Sequence, residues 1–220
     1  MSLSTLVKGT VGAGAVGTTV AGAAYAGGFF DKESKTEAVS SLLKIFNPNK
    51  RFITTSEGSD SHWKANWDQY KKDKDIWKLK DRNKSSSSDE NAPSYFISEC
   101  QTRRSSQVSG AESDLYKEVL RYCTRDTLVK DLISENATGR RLLLSSDDKT
   151  IWQPVWDDYK TKYANSADAW SLEQWDTKKS ESDVPEVFKQ ACSKKSEEPS
   201  FKVGDEKYQN VLTWCTTDKK

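Results

Sequence analysis

The sequence predicts an all-α protein: two tandem copies of a small four-helix unit, following an N-terminal apolar helix. Three observations lead there. Apolar and aromatic residues recur at three- and four-residue spacings through a polar body. The same blocks occur twice in the same order, about 90 residues apart. Apolar runs of period two, the signature of strands, are few. The expected organisation is a signal peptide or membrane anchor over residues 1–30, a first copy over 31–125 and a second over 126–220.

The N-terminal element is read from charge. Residues 9–30 (GTVGAGAVGTTVAGAAYAGGFF) carry none, and only Lys8 precedes them. A helix of that length would reach about 33 Å, enough to cross a bilayer core. Yet the stretch holds seven Gly and no Leu or Ile, so its insertion energy is marginal. Three readings stay open: a secretory signal with an A-x-A site at Ala24-Tyr25-Ala26, an uncleaved anchor, or a Gly/Ala tail. The first two make the membrane a partner through residues 9–30. They place the body outside the cell, either membrane-attached or secreted.

The lead helices are expected over roughly 36–46 and 126–137. Asn47-Pro48 and Gly139 act as stop signals. In them Val39, Leu42 and Leu43 match Val129, Leu132 and Ile133. The second block is W-x3-W-D-x-Y-K. Trp63, Trp67 and Tyr70 fall at i, i+4 and i+7, as do Trp152, Trp156 and Tyr159, so all six are assigned to the core. Pro154 is expected to delay its helix to near residue 153. Asp68 and Asp157 follow a Trp and are expected to pair with Lys71 and Lys160 on the helix surface. The third block, P-x2-F-x3-C, places Pro93 and Pro185 where a helix begins. The fourth sets Tyr116, Val119, Leu120 and Cys123 on one helical face, repeated by Tyr208, Val211, Leu212 and Cys215. Trp77 and Trp175 lie outside this periodicity and are the candidates for exposure.

The four cysteines form two pairs with equal spacing. Behind an export segment they suggest disulfides. Four cysteines allow three connectivities. The duplication favours Cys100–Cys123 and Cys192–Cys215, because each copy is then self-contained.

Composition excludes several function classes. With 34 Lys+Arg against 33 Asp+Glu, the chain lacks the basic excess of a nucleic-acid binder. At 35% hydrophobic residues it cannot span a membrane many times. The single histidine, His62, argues against a His-based metal centre or proton relay. The chain has no P-loop, dinucleotide fingerprint, G-x-S-x-G or H-E-x-x-H motif. No catalytic residues, metal ligands or cofactor are therefore expected.

The Gly/Ala-rich start MSLSTLVKGTVGAGAVG, followed by a polar body with W-D-x-Y-K and V-L-x-W-C-T, resembles the paralogous exported proteins of haemotropic mycoplasmas. The resemblance covers the start and the repeated blocks. It implies a single-membrane, wall-less cell and a surface facing host blood. It carries no catalytic residues. The expected function is non-enzymatic display at the host-facing surface, serving antigenic variation or contact with a host surface molecule. The alternative is a small-ligand or glycan module built on exposed aromatics.

Overall fold

Capping side chains set where the helices begin. In the computed structural model, which describes residues 36–73, 75–79 and 91–219, Asp60 accepts from the His62 and Trp63 amides and starts α2 (Ser61–Lys72). Ser113 caps α4 (Asp114–Tyr122), Asp148 caps α6 (Lys149–Lys162) and Asp205 caps α9 (Glu206–Trp214). Each carboxylate or hydroxyl satisfies amides that have no partner within the helix. Pro93 and Pro185 stand at the N-caps of α3 (Ser94–Arg104) and α8 (Glu186–Ser196), where the missing N–H costs nothing. The lead helices α1 (Val39–Phe46) and α5 (Val129–Asn136) are eight residues each, and α7 is a single turn (Trp175–Lys178).

α6 begins four residues earlier than Pro154 suggested. The amide that Pro154 lacks would have bonded the carbonyl of Thr150. That loss falls at the start of the helix, where Asp148 still organises the first turn.

Short antiparallel ladders close the structure. β1 (Glu37–Ala38) pairs with β3 (Gln107–Val108). β2 (Lys50–Phe52) pairs with β4 (Thr124–Asp126), and β5 (Arg140–Leu142) with β6 (Thr216–Asp218). In each of the last two, the chain leaves a helix at a cystine and turns extended through Thr124 or Thr216. The Ile53 amide donates to Cys123 O at 3.1 Å, and the Leu143 amide to Cys215 O at 2.8 Å.

Two parts of the sequence expectation are overturned here. The protein is not all-α: it is about 50% helix with 10% strand in small antiparallel sheets. Nor does it consist of two tandem four-helix units. The nine helices among the described residues divide as four before β4 and five after it, within one compact unit. The physical reason is local. Strands of two or three residues are too short to display period two, and each is held by one partner strand and not by a wide sheet. The expected N-terminal apolar helix, with the whole 1–30 segment, lies outside the described residues.

The core forms as two clusters. One gathers Val39, Leu42, Trp63, Trp67, Tyr70, Phe96 and Val119. The other gathers Val129, Leu132, Trp152, Trp156, Tyr159, Phe188 and Val211. Rings dominate both. Phe96 lies 5.1 Å from Trp67 and from Tyr70, and Phe188 lies 5.0 Å from Trp156 and 4.9 Å from Tyr159. Rings bury about 150–250 Å² apiece, so a chain poor in aliphatic residues still closes a core. Gly58 is required by packing: a Cβ there would lie 2.0 Å from the Ala92 carbonyl oxygen.

Candidate functional site

The cystines come first, because they connect sequence to compartment. Cys100 is bonded to Cys123 and Cys192 to Cys215, with Cα atoms 5.4 Å apart in both. All four sulfurs are buried, and among the described residues there is no free cysteine. Each bridge staples α3 to α4 or α8 to α9, the pairing favoured by the equal spacing.

The six aromatics assigned to the core are at most 1% exposed. The Trp63 indole N–H donates to Thr55 O at 2.8 Å, and that of Trp152 to Leu144 O at 3.0 Å. The indole nitrogens of Trp67 and Trp156 are buried without a hydrogen-bond acceptor. Each ring meets a perpendicular neighbour, Tyr95 at 6.0 Å and Trp175 at 6.1 Å. Asp68 and Asp157 do pair with Lys71 at 2.8 Å and Lys160 at 3.1 Å. The Lys71 hydrogen bond holds the Asp68 carboxyl below its usual range.

Trp77 and Trp175 are buried, contrary to their expected exposure. Trp77 donates to Glu118 at 2.7 Å and stacks on Phe96, with the Arg103 guanidinium 4.7 Å from its ring centre. Trp175 donates to Ser166 O at 3.2 Å. Trp170 and Trp214 are the two partly exposed tryptophans.

A fifth repeated block escaped the sequence reading. Asp75-Ile76-Trp77-Lys78-Leu79 matches Asp168-Ala169-Trp170-Ser171-Leu172, a D-x-W-x-L pattern. The Tyr70 hydroxyl donates to Asp75 and the Tyr159 hydroxyl to Asp168, each at 2.6 Å. The Leu79 and Leu172 amides return to the same carboxylates. Lys78 and Ser171 both take a left-handed backbone, φ 50° and 51°. Burial, and then the hydrogen bond to Asp168, drive the Tyr159 hydroxyl far above its ordinary pKa. This arrangement locks a loop. A phenol held neutral against a buried acceptor is a structural group and not a base.

A cleft of about 660 Å³ opens between α1, β2, the end of α3 and α5. Pro48, Leu43 and Phe52 give it apolar walls, and Ser40, Ser41 and Thr54 supply hydroxyls. Five cations line it: Lys44, Lys50, Arg51, Arg104 and Arg125. Three are matched. Arg51 forms a two-pronged pair with Glu135, both bonds 2.8 Å. Arg125 does the same with Asp131 at 2.6 and 2.9 Å, and Lys50 reaches Asp126 at 2.7 Å. Burial works against ionisation of Asp131. Hydrogen bonds from Arg125 and the Leu128 amide, with the Arg125 and Lys130 charges, outweigh it and hold the carboxyl low. Among the described residues, Lys44 and Arg104 have no acidic partner. The Arg104 guanidinium lies 4.7 Å from the Phe52 ring centre.

Among the described residues, no group of three His, Cys, Asp or Glu is placed to hold a metal ion. No helix among them is long and apolar enough to cross a membrane. The apolar stretch 9–30 lies outside the described residues. No family model, curated protein or solved structure matches the chain.

Proposed function

We propose that the protein is an exported, non-enzymatic protein whose body stands on the host-facing side of the membrane, held by residues 9–30 or released after cleavage. Its role is surface display, in antigenic variation or in contact with a host surface molecule. The observation that carries this reading is the pairing of all four cysteines within buried helix junctions. Buried disulfides form and persist in oxidising compartments, and reducing cytosol keeps thiols free. A small body with few aliphatic residues gains most from such staples. The uncharged stretch ahead of the charged body supplies the export route, and the resemblance to exported paralogues points the same way. The charged, exposed helix faces are free of the core's constraints, as a display surface needs.

The test is a fusion of residues 1–35 to a reporter that is active only outside the cytoplasm. An active reporter is expected, together with loss of the native protein when intact cells are treated with protease. A silent reporter, with the fusion soluble in the cytosol, overturns the proposal.

A further inference from the structure

We infer that the cleft between α1, β2 and α5 is a binding site for a small acidic sugar, a ligand pairing one oxyanion with neighbouring hydroxyls. Three observations support this. The first is charge. Asp126, Asp131 and Glu135 are each committed to Lys50, Arg125 and Arg51, so the two remaining cations, Lys44 and Arg104, leave the cleft with a net charge of about +2.

The second is geometry. The Arg104 guanidinium carbon lies over the Phe52 ring, 4.7 Å from its centre, and no acidic residue among the described ones pairs with it. A guanidinium held this way is pre-organised for two parallel bonds to a carboxylate or sulfate. Lys44 stands three and four residues after Ser41 and Ser40, so ammonium and hydroxyls share one face of α1. The hydroxyls suit a polyol. The cleft volume falls within the range of small-molecule sites.

The third is the contrast with the matching positions of the second half. There, Lys44 is replaced by Ser134 and Arg104 by Ser196, and Ser41 stands where the second half has Asp131. The shared scaffold therefore does not demand these cations. At the α1 and α3 positions where the halves differ, the cleft has Lys44 and Arg104 in place of two serines, and it lacks both the cation of Lys130, matched by Ser40, and the anion of Asp131, matched by Ser41.

The inference does not depend on the display role, because the cleft can be tested in solution wherever the protein resides in the cell. The experiment titrates the oxidised full chain with glucuronate, inorganic sulfate and glucose. It follows the Arg104 Nε–H and the Ser40 and Ser41 amides by NMR. Saturable shifts are expected with glucuronate and, more weakly, with sulfate, and none with glucose. R104Q and K44Q should each weaken glucuronate binding about tenfold, the scale of one lost charge-assisted hydrogen bond. R104K, which keeps the charge without the fork, should fall between wild type and R104Q. Lys44 is exposed, so K44Q carries the test if R104Q fails to fold. Non-saturating shifts, equal binding of glucose, or unchanged affinity in K44Q would overturn the site. Glucuronate binding no tighter than sulfate would overturn the sugar assignment.

Discussion

Replacing Asp168 by alanine tests the claim that a buried carboxylate locks the D-x-W-x-L loop. Asp168 is 7% exposed and accepts from the Tyr159 hydroxyl at 2.6 Å, the Trp170 amide at 2.9 Å and the Leu172 amide at 3.0 Å. Tyr159 is fully buried, so D168A strands its hydroxyl away from water. The Leu172 amide loses its acceptor as well. An orphaned buried donor costs about 1–3 kcal/mol, and hydrogen bonds to a charged partner lie at the upper end. Two such donors, with a loop no longer anchored at the left-handed Ser171, give an expected loss of about 4 kcal/mol. Asp157 is the control. It is the same residue type, but its pair with Lys160 is exposed, so D157A should cost under about 1 kcal/mol. Urea unfolding of the oxidised protein, followed by tryptophan fluorescence, reads both. With a slope of about 2 kcal/mol/M, D168A should lower the midpoint by about 2 M, and D157A by less than about 0.5 M. Y159F should cost less than D168A, because the carboxylate then keeps its two amides. A D168A midpoint no lower than that of D157A would refute the lock.

The cystines and the titrating groups give three further predictions. Closing a separation of 23 residues is worth about 3 kcal/mol in the chain-entropy model, so at a slope of about 2 kcal/mol/M C192A/C215A should lower the urea midpoint by about 1.5 M. A double variant as stable as wild type would show that α8 and α9 need no staple. On the alkaline side, burial and the hydrogen bond to Asp73 push the Tyr122 hydroxyl up to about 12. The folded value lies above the ordinary one of about 10, so this contribution is complete below pH ~10 and is lost as pH rises through the folded value. Stability should fall over that interval, and less in Y122F. On the acid side, the depressed Asp131 carboxyl contributes above the ordinary carboxylate range. It loses that contribution as pH falls through its lower folded value, and D131N should flatten this part of the acid limb.

What the sequence made legible was the part with long periodicity. Seven-residue spacing of rings located α2 and α6, and it assigned Trp63, Trp67, Tyr70, Trp152, Trp156 and Tyr159 to the core, where they lie. In α4 the face was read one position off. Tyr122 is buried at 2% exposure, and Leu120 is only partly buried, because the Tyr122 hydroxyl has Asp73 as an acceptor. The ladders were illegible for the opposite reason: Lys50-Arg51-Phe52 and Arg140-Arg141-Leu142 are polar, short and half-exposed. The D-x-W-x-L block was hidden by loop length. Five residues separate Tyr70 from Asp75, but nine separate Tyr159 from Asp168, so the match slides out of register where insertions are cheap. The cleft had no sequence signal. Its cations come from α1, β2, α3 and β4, and in the chain each sits among the interleaved charges typical of a solvated face.

The two halves share their interior and differ in what covers it. Trp77 and Trp170 stack alike on Phe96 and Phe188. Over Trp77 the chain places the Arg103 guanidinium, with Glu118 on the indole N–H. At the matching positions of the second half stand Lys195, drawn to Glu198 at 2.8 Å, and Asn210, and Trp170 stays partly exposed. Tyr122 likewise commits its hydroxyl to Asp73, while the matching Trp214 is partly exposed. Surface charges can change in this way because stability resides elsewhere. A few large rings and one cystine close each cluster, and exposed ion pairs add little to stability. Substituting one exposed cation or acid therefore costs little folding free energy. Electrostatics and shape at the surface can then vary while the interior stays constant, a physical condition that the proposed display role and the proposed anion cleft share.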